Sequence, residues 1–271
     1  MLRDLCDCGV FNVVRLTEVF RQAETSRIIL NAHRIHDGEM PDLTPRADGD
    51  FFYLPCGTDE QISATVAGLC KTRLPRAYGA SVYDGIQVIT PSRKGPNGTE
   101  VLNGVLQAAI NPASAEKKER KYRDMVFREG DKVMQIKNNY DIPWQKNGVD
   151  GFGIFNGDIG IIRGIDPVVQ IIAIDFDGRI AEYDFSMTEE LELAYAITVH
   201  KSQGSEYPIV VIPLYSYTPK LLTRNLFYTA ITRAQQMVIL VGDGEIANRM
   251  IDNNRQTKRY TGLGYWMTQY D

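Results

Sequence analysis

Two arginines and one polar loop carry the side-chain types that could bind a phosphate. Arg233 ends an amphipathic segment just before the apolar run 237–241, and Arg21 follows the apolar run 11–16. An arginine side chain is planar and permanently charged, so it can stabilise negative charge on a transferring phosphoryl group, even from across a domain interface. For Arg233 alone, a surface position at the end of a helix is the competing interpretation. For Arg21, it is a salt bridge with a neighbouring glutamate.

The polar loop covers residues 198–206 and lies between the apolar runs 193–197 and 208–214, which are typical of buried strands. Ligands of open α/β sheets bind outside the carboxyl ends of the strands, so this loop is a candidate site. Gly204 allows a close approach of the backbone to a ligand. A lone histidine in such a loop would by default be structural. The side chains that suit the phosphates and sugars of a nucleic acid are Thr198, His200, Lys201 and Gln203.

A second polar segment, residues 90–98, connects the apolar run 86–89 to a helical pattern that begins near Thr99. The free amides at the start of a helix form a natural phosphate site. Composition alone indicates only a loop here, and that interpretation also covers Lys94 and Asn97.

The chain lacks the phosphate-binding loop of a nucleoside-triphosphate motor, since it contains no Gly-Lys dipeptide. The nearest imitation, residues 68–72, has Cys70 where a glycine is needed. It also lies inside a helical pattern that Thr58 caps and that is predicted to end before Pro75.

Two groupings of possible metal or acid–base residues are set aside. Asp175 ends an apolar run, but the Asp-Gly pair at 177–178 predicts a tight hairpin turn, so turn and strand-end solvation explain the nearby aspartates. The spacing of Cys6 and Cys8 with His33 and His36 fits no standard structural zinc site.

Residues 198–206 and 225–234 together resemble motifs V and VI of superfamily 1 DNA helicases, most closely the RecD-like branch. Residues 16–22 resemble motif IV of that family. The strings FREGDKVMQ, NNY and FNGDIG, all within residues 127–160, resemble the small Src-homology-3-like barrel inserted in the second motor domain of RecD-like enzymes. Motifs I, Ia, II and III are missing.

The resemblance implies an ATP site that this chain shares with another domain. Arg21 and Arg233 are expected to converge on the terminal phosphate of ATP as catalytic residues. Gly204 and Glu206 are expected beside the bound nucleotide. The phosphate loop and the Mg²⁺ ligands would come from the N-terminal motor domain of the same parent protein, so this chain alone is expected to be inactive.

The resemblance also implies that the enzyme moves 5′→3′ along single-stranded DNA. In the strand–loop–helix segment, Thr90, Pro91 and Arg93 are expected to contact the DNA backbone. In the polar loop, the expected DNA contacts are Thr198, His200, Lys201 and Gln203.

The composition limits the class of protein. With 44% hydrophobic and 24% charged residues, the chain is predicted to be a soluble globular protein without a signal peptide or a membrane span. Four cysteines are too few for a disulfide framework, which fits a reducing cytoplasm. The net charge of −4 argues against a basic face that coats duplex DNA, but it is compatible with a narrow channel that grips a few phosphates.

The order of predicted elements indicates an α/β fold with an insertion. Helix and strand patterns, including a strand at 11–16, alternate up to about residue 111 and resume after 190, which predicts a parallel sheet with helices on both faces. The segment between them contains short strands and tight turns, which predict a small antiparallel barrel. The predicted domains are 1–124 and 187–271, which the resemblance identifies as one RecA-like second motor domain, and 125–186, the barrel.

We therefore predict the C-terminal half of an ATP-dependent 5′→3′ DNA helicase, with single-stranded DNA and the N-terminal motor domain as partners. Subunits of an exonuclease complex remain open as further partners. The alternative is a non-catalytic nucleic-acid or partner-binding module that retains the motor fold. A weaker option is the helicase half of a relaxase-type conjugation protein.

Overall fold

The computed structural model describes residues 2–14, 26–45, 49–255 and 261–268 of the 271-residue chain. The α-helices of these residues are α1 (Leu2–Asp7), α2 (Arg27–Asp37), α3 (Asp59–Gly68), α4 (Leu74–Tyr78), α5 (Thr99–Ile110), α6 (Arg224–Ile231), α7 (Gly244–Asp252) and α8 (Leu263–Thr268). The strands are β1 (Phe51–Pro55), β2 (Ile86–Thr90), β3 (Glu119–Tyr122), β4 (Met125–Arg128), β5 (Lys132–Gln135), β6 (Asn139–Lys146), β7 (Val149–Ile154), β8 (Ile159–Asp166), β9 (Ile171–Phe176), β10 (Arg179–Asp184), β11 (Leu191–Leu193), β12 (Ala196–Thr198), β13 (Tyr207–Leu214) and β14 (Ala234–Gly242). A π-helical turn (Leu69–Arg73) joins α3 to α4, and 3₁₀ turns cover Phe185–Glu190 and Pro219–Leu221.

Five strands form a parallel sheet in the order β1-β14-β13-β2-β12. Helices α3 and α5 cover one face, where Val66 and Leu102 pack with Val211. Helices α2, α6 and α7 cover the other face, where Phe227 packs with Val210. Because both faces are buried, the strands are continuous apolar runs rather than alternating ones. This architecture confirms the predicted α/β class.

The sequence predicted that the helix beginning after Thr58 ends before Pro75. The structure shows that this prediction is wrong. The helix continues through the π-helical turn into α4, where the amide of Leu74 donates to the carbonyl of Leu69. Proline has no N–H and its ring clashes with the carbonyl four residues earlier in a regular α-helix. The wider turn changes that spacing, so the helix ends only at Gly79, whose φ of 65° lies in the left-handed region.

The predicted strand at 11–16 is wrong for its described part, because residues 11–14 belong to no strand. Val14 is 86% exposed, so this segment buries no continuous apolar face that would favour a strand. Residues 15–25, which include Arg21, lie outside the described residues.

A seven-stranded antiparallel sheet, in the order β11-β5-β8-β9-β10-β6-β7, follows the β3–β4 hairpin. The predicted turn between β9 and β10 is present, with Asp177 and Gly178 at φ 53° and 81°. The inner face of the sheet packs Ile162, Ile174 and Tyr183. Strand β11 lies beyond residue 186 but belongs to the same sheet. The domain boundaries at 125 and 186 therefore stay predictions.

A buried polar junction fixes the antiparallel sheet to the parallel one. Asn103, Gln107 and Asn111 are spaced by four residues, so they lie on one face of α5 and its C-terminal end. Asn103 donates to the carbonyls of Leu193 (2.9 Å) and Ala196 (3.0 Å), which lie at the crossing from one sheet to the other. Each of these polar groups would lose its partner if the two sheets shifted, which makes a single orientation favourable.

Asp131 lies at the centre of this junction and is fully buried. Its carboxylate accepts hydrogen bonds from Gln107 Nε2 (2.6 Å), Asn111 Nδ2 (2.7 Å), the amide of Arg128 (2.7 Å) and the Tyr195 hydroxyl (3.0 Å). Burial raises the pKa of Asp131, and these donors act in the opposite direction. The junction therefore depends on one buried carboxylate whose charge is stabilised by hydrogen bonds from the protein instead of by water.

Candidate functional site

The five parallel strands point in the same direction, so polar segments gather at two opposite rims of the sheet. The amino-end rim consists of Ser205 and Glu206, which precede β13, and Arg233, which precedes β14. The carboxyl-end rim consists of segments 90–98 and 198–203, which follow β2 and β12.

The strand register shows how far apart the rims are. Tyr207 pairs with Ala234 at one end, and Thr198 pairs with Thr90 at the other. At a rise of about 3.3 Å per residue, the length of β13 separates the rims by roughly 20 Å. The predicted loop 198–206 therefore begins at one rim and ends at the other, because the chain must cross from the end of β12 to the start of a parallel strand.

At the amino-end rim, three uncharged oxygens hold the guanidinium of the half-buried Arg233. Its Nε donates to the carbonyl of Thr229 (3.3 Å), Nη1 to the carbonyl of Ser205 (3.2 Å), and Nη2 to Oγ1 of Thr232 (3.3 Å). Within the described ranges, Arg233 forms no salt bridge. Its side chain is therefore oriented while its charge is left uncompensated.

Helix α6 positions this arginine. The Thr223 hydroxyl caps the helix by accepting from the amide of Leu226 (3.3 Å), and the buried Phe227 and Ile231 anchor its apolar face. The helix ends at Ile231, so Arg233 turns back over the last turn as the chain enters β14. The prediction that Arg233 lies between a helix and a strand is confirmed.

The other amino-end residues differ in their surroundings. Gly204 is exposed at φ 88°, and a Cβ there would meet nothing within 4 Å, so backbone conformation rather than space favours glycine. Glu206 is half-buried and accepts from Gln235 Nε2 at 3.4 Å. Arg21, which was predicted to join Arg233 on a phosphate, lies outside the described residues, so their convergence stays a prediction.

A cleft of about 840 Å³ opens beside the amino-end rim, between Glu206 and the antiparallel sheet. Lys132 of β5 lines it and is nearly buried. The Lys132 ammonium donates to the carbonyl of Val82 and to Oε1 of Gln87 (2.9 Å), and burial lowers its pKa to about 8. Sequence reasoning did not single out Lys132, because its burial depends on contacts with residues distant along the chain.

At the carboxyl-end rim, Thr90 faces the interior. Its hydroxyl donates to the carbonyl of Asn97 (2.9 Å) and lies 3.1 Å from the Tyr215 hydroxyl, which is also 2.7 Å from Oγ of Ser92. Thr90 and Pro91 are buried, and their predicted contact with the DNA backbone stays a prediction. The strand must bury its last residues against the 90–98 loop, and Thr90 holds that loop in place.

Arg93, on the same loop, is exposed and meets two carboxylates. Its Nε lies 3.0 Å from Glu100, at the start of α5, and its Nη2 lies 3.2 Å from Oε1 of Glu192. The second oxygen of Glu192 lies 2.7 Å from the ammonium of Lys201. Two predicted DNA-binding cations, from separate segments, therefore share one acidic side chain.

Sequence reasoning missed Glu192. It lies on β11, where it pairs with Met134 of the antiparallel sheet, about a hundred residues from Arg93 along the chain. No local pattern indicates that a glutamate in a short apolar strand would meet the two cations.

The remaining residues of the polar loop face solvent to different degrees. His200 and Gln203 are exposed, and Thr198 is half-buried with its hydroxyl accepting from the amide of Lys201 at 3.4 Å. Ser202, which the sequence did not single out, is buried and donates to the carbonyl of Val199 (2.8 Å), which shapes the turn. Whether these side chains contact DNA stays a prediction.

In the part of the chain that the structure describes, no group of three or more His, Cys, Asp or Glu side chains could hold a metal ion. Asp175 accepts from the amide of Gly178 (2.6 Å) and pairs with Arg163 (2.7 Å), as a turn residue does. Over the same described residues, no helix combines the length and the apolar character that crossing a membrane requires.

Two family models match the chain. Residues 102–176 match the ATP-dependent RecD-like DNA helicase SH3 domain, and residues 193–241 match the UvrD-like helicase C-terminal domain. The second match contains the 198–206 loop and Arg233. A curated relative, the ATP-dependent RecD2 DNA helicase of Deinococcus radiodurans, is 33% identical over 229 residues, which are 84% of this chain and 28% of that protein. The chain belongs to the RecD-like DNA helicases.

Further matches agree with this family. The RecBCD enzyme subunit RecD of Mycolicibacterium smegmatis is 35% identical over 113 residues, which cover 42% of this RecD-like chain and 19% of that subunit. The chain thus spans less than a third of the length of these curated relatives.

A solved structure supports the fold of this RecD-like chain. The Pif1 helicase from Bacteroides, in a complex with ADP-AlF3 and single-stranded DNA, has a TM-score of 0.52 at 18% sequence identity. The similarity covers 96% of this chain and 57% of that one. The inserted antiparallel sheet, for its part, matches the SH3 domain of the first family model.

Proposed function

We propose that this chain is the half of an ATP-dependent DNA helicase that grips single-stranded DNA at the carboxyl-end rim and completes an ATP site at the amino-end rim. The RecD2 relative is named an ATP-dependent DNA helicase, and the match covers most of this chain. Movement in the 5′→3′ direction and the need for an N-terminal motor domain are parts of the same proposal.

The observation that carries the proposal is the setting of Arg233. Three neutral oxygens orient this guanidinium, and no carboxylate among the described residues pairs with it, so it is ready to bind an external anion. The triphosphate of ATP with its Mg²⁺ fits this requirement, and hydrolysis would supply the free energy for movement. Arg233 would bind the terminal phosphate, with Arg21 as its expected partner and with Gly204 and Glu206 close to the nucleotide.

The two rims are also linked in a way that suits a motor. The loop 198–206 contacts both rims. At one end, Ser205 accepts a hydrogen bond from Arg233, and at the other end Lys201 pairs with Glu192, which also pairs with Arg93. A change at the nucleotide would therefore move a loop that carries proposed DNA contacts, among them Thr198, His200, Lys201 and Gln203.

The proposal is tested by Arg233→Ala in the complete protein. We expect ATP turnover to fall by roughly 10³-fold or more, on the scale of other arginine fingers, while affinity for single-stranded DNA is retained. Arg249→Ala, an exposed arginine of α7 that belongs to neither rim, is the matched control and should leave turnover unchanged. Undiminished turnover in the Arg233 variant would refute the ATP role.

A non-catalytic nucleic-acid-binding module is the second candidate, because these 271 residues contain no phosphate-binding loop. It predicts single-stranded DNA binding by the complete protein with no ATP turnover at all. Measuring turnover of the unmutated protein with and without single-stranded DNA separates the two.

A further inference from the structure

Glu192 sits between two cations that the proposed function assigns to DNA. Each of its carboxylate oxygens serves one cation, Oε1 for Arg93 at 3.2 Å and Oε2 for Lys201 at 2.7 Å. This is the arrangement that two oxygens of a DNA phosphate would adopt between the same side chains.

The three side chains differ in how firmly the fold holds them. Glu192 is only 21% exposed and belongs to β11, which pairs with β5 of the antiparallel sheet. Arg93 is 60% exposed and Lys201 33% exposed, and both have long, flexible side chains. The cations can therefore turn toward a ligand in solvent while the carboxylate stays in place.

There is room for such a ligand next to the cluster. A cleft of about 480 Å³ is lined by Arg93 and Glu192, and a smaller one of about 50 Å³ reaches Thr198 and Lys201. An incoming phosphate would meet the two cations from the solvent side, without first entering the protein core.

We propose that Glu192 competes with the DNA backbone for Arg93 and Lys201 and so sets the affinity of the carboxyl-end rim for single-stranded DNA. Ion pairs at a protein surface contribute little net stability, so exchanging a carboxylate for a phosphate is close to balanced. When DNA leaves, both cations return to Glu192, which is the carboxylate that they share, and Arg93 also pairs with Glu100. A motor that must release and regrip its strand at each step would benefit from this exchange.

The inference rests on the proposed DNA role of this rim and is tested by Glu192→Gln in the complete protein. Affinity for a fluorescently labelled oligothymidylate, measured by anisotropy, should rise by about threefold or more, since the cations lose their competitor. The plot of log affinity against log salt concentration should become steeper by about 0.7 for each additional phosphate that the released cations neutralise. A purely structural role of Glu192 would not steepen this slope.

Two further variants make the result specific. Glu39→Gln removes an exposed carboxylate that pairs with Arg34 and lines neither of these clefts, and should leave affinity unchanged. In a Lys201→Gln background, the increase in affinity from Glu192→Gln should shrink, because one of the released cations is absent. The thermal unfolding midpoint of each variant shows whether it is folded.

The possible results separate this inference from the proposed function. An unmutated protein that fails to bind oligothymidylate contradicts the DNA role of the rim itself. If the unmutated protein binds and Glu192→Gln binds equally well or more weakly, the DNA role stands and competition is refuted, with weaker binding indicating that Glu192 positions the cations.

Discussion

The two rims of the parallel sheet treat positive charge in opposite ways. At the amino-end rim, the partners of Arg233 within the described ranges are all uncharged oxygens, so none of them compensates its charge. At the carboxyl-end rim, Arg93 and Lys201 share the carboxylate of Glu192, and Arg93 also meets Glu100.

The difference matches two kinds of binding. A single guanidinium in fixed geometry suits one strong, directional contact with a phosphoryl group, for which the planar fork matters. Cations shared with carboxylates suit several weak contacts that form and break, for which mainly charge matters. Geometry should therefore be limiting at the amino-end rim, and net charge at the other.

The largest expected effect comes from exchanging arginine for lysine at each rim. Arg233→Lys keeps the charge but loses the fork, so ATP turnover in the complete protein should fall by about 10²-fold or more. The matched change Arg93→Lys should alter affinity for single-stranded DNA by no more than about threefold, because a point charge is sufficient there.

These two variants can contradict the proposed difference between the rims. Normal turnover in Arg233→Lys would mean that the fork is not needed. A large loss of DNA affinity in Arg93→Lys would mean that the carboxyl-end rim also depends on exact geometry.

An intermediate effect is expected from Lys132, which bonds neutral oxygens as Arg233 does but is nearly buried. Its pKa is lowered from 10.5 to about 8 by burial, so between these values the unfolded chain binds more protons than the folded one. Stability should therefore rise with pH in this window. Relative to Lys132→Met, the free energy of unfolding should increase by about 2 kcal/mol from roughly pH 8 to pH 9.5.

Denaturant unfolding of both proteins across this pH range measures the effect. Cys70, whose pKa burial raises to about 12, is present in both proteins, so its own contribution largely cancels. If the difference in the free energy of unfolding between the two proteins stays constant with pH, Lys132 remains charged in the folded protein. Lys132 would then be a permanently charged cation like Arg233, in spite of its burial.

The smallest effect is expected from Tyr215→Phe, which removes the hydroxyl shared by Thr90 and Ser92. We expect a loss of about 1 kcal/mol in stability and a few-fold weaker DNA binding, with DNA-independent ATP turnover unchanged. Tyr183→Phe is the control, since it removes a similar buried hydroxyl contact, with Gln135, at neither rim. If Tyr215→Phe slowed DNA-independent turnover, the rims would not be separable.

The local sequence pattern predicted secondary structure well where the structure of a segment depends on its own residues. The apolar runs of β13 and β14, the Asp-Gly turn after β9 and the position of Arg233 before a strand follow from residues next to each other. The end of the helix at Pro75 was wrong, because a π-helical turn accommodates the ring. Leu69 and Leu74, at the two ends of that turn, are buried in the core.

What the sequence by itself determined was the class of fold, the family and the loops that carry the candidate side chains, since these depend on periodicity and on contiguous motifs. Only the tertiary structure decided which of those side chains reach solvent and which partners they meet. Thr90 turns inward to Tyr215, and Glu192 arrives from another sheet to pair with Arg93 and Lys201. Burial and charge pairing join residues that are distant along the chain, and no local pattern records those distances.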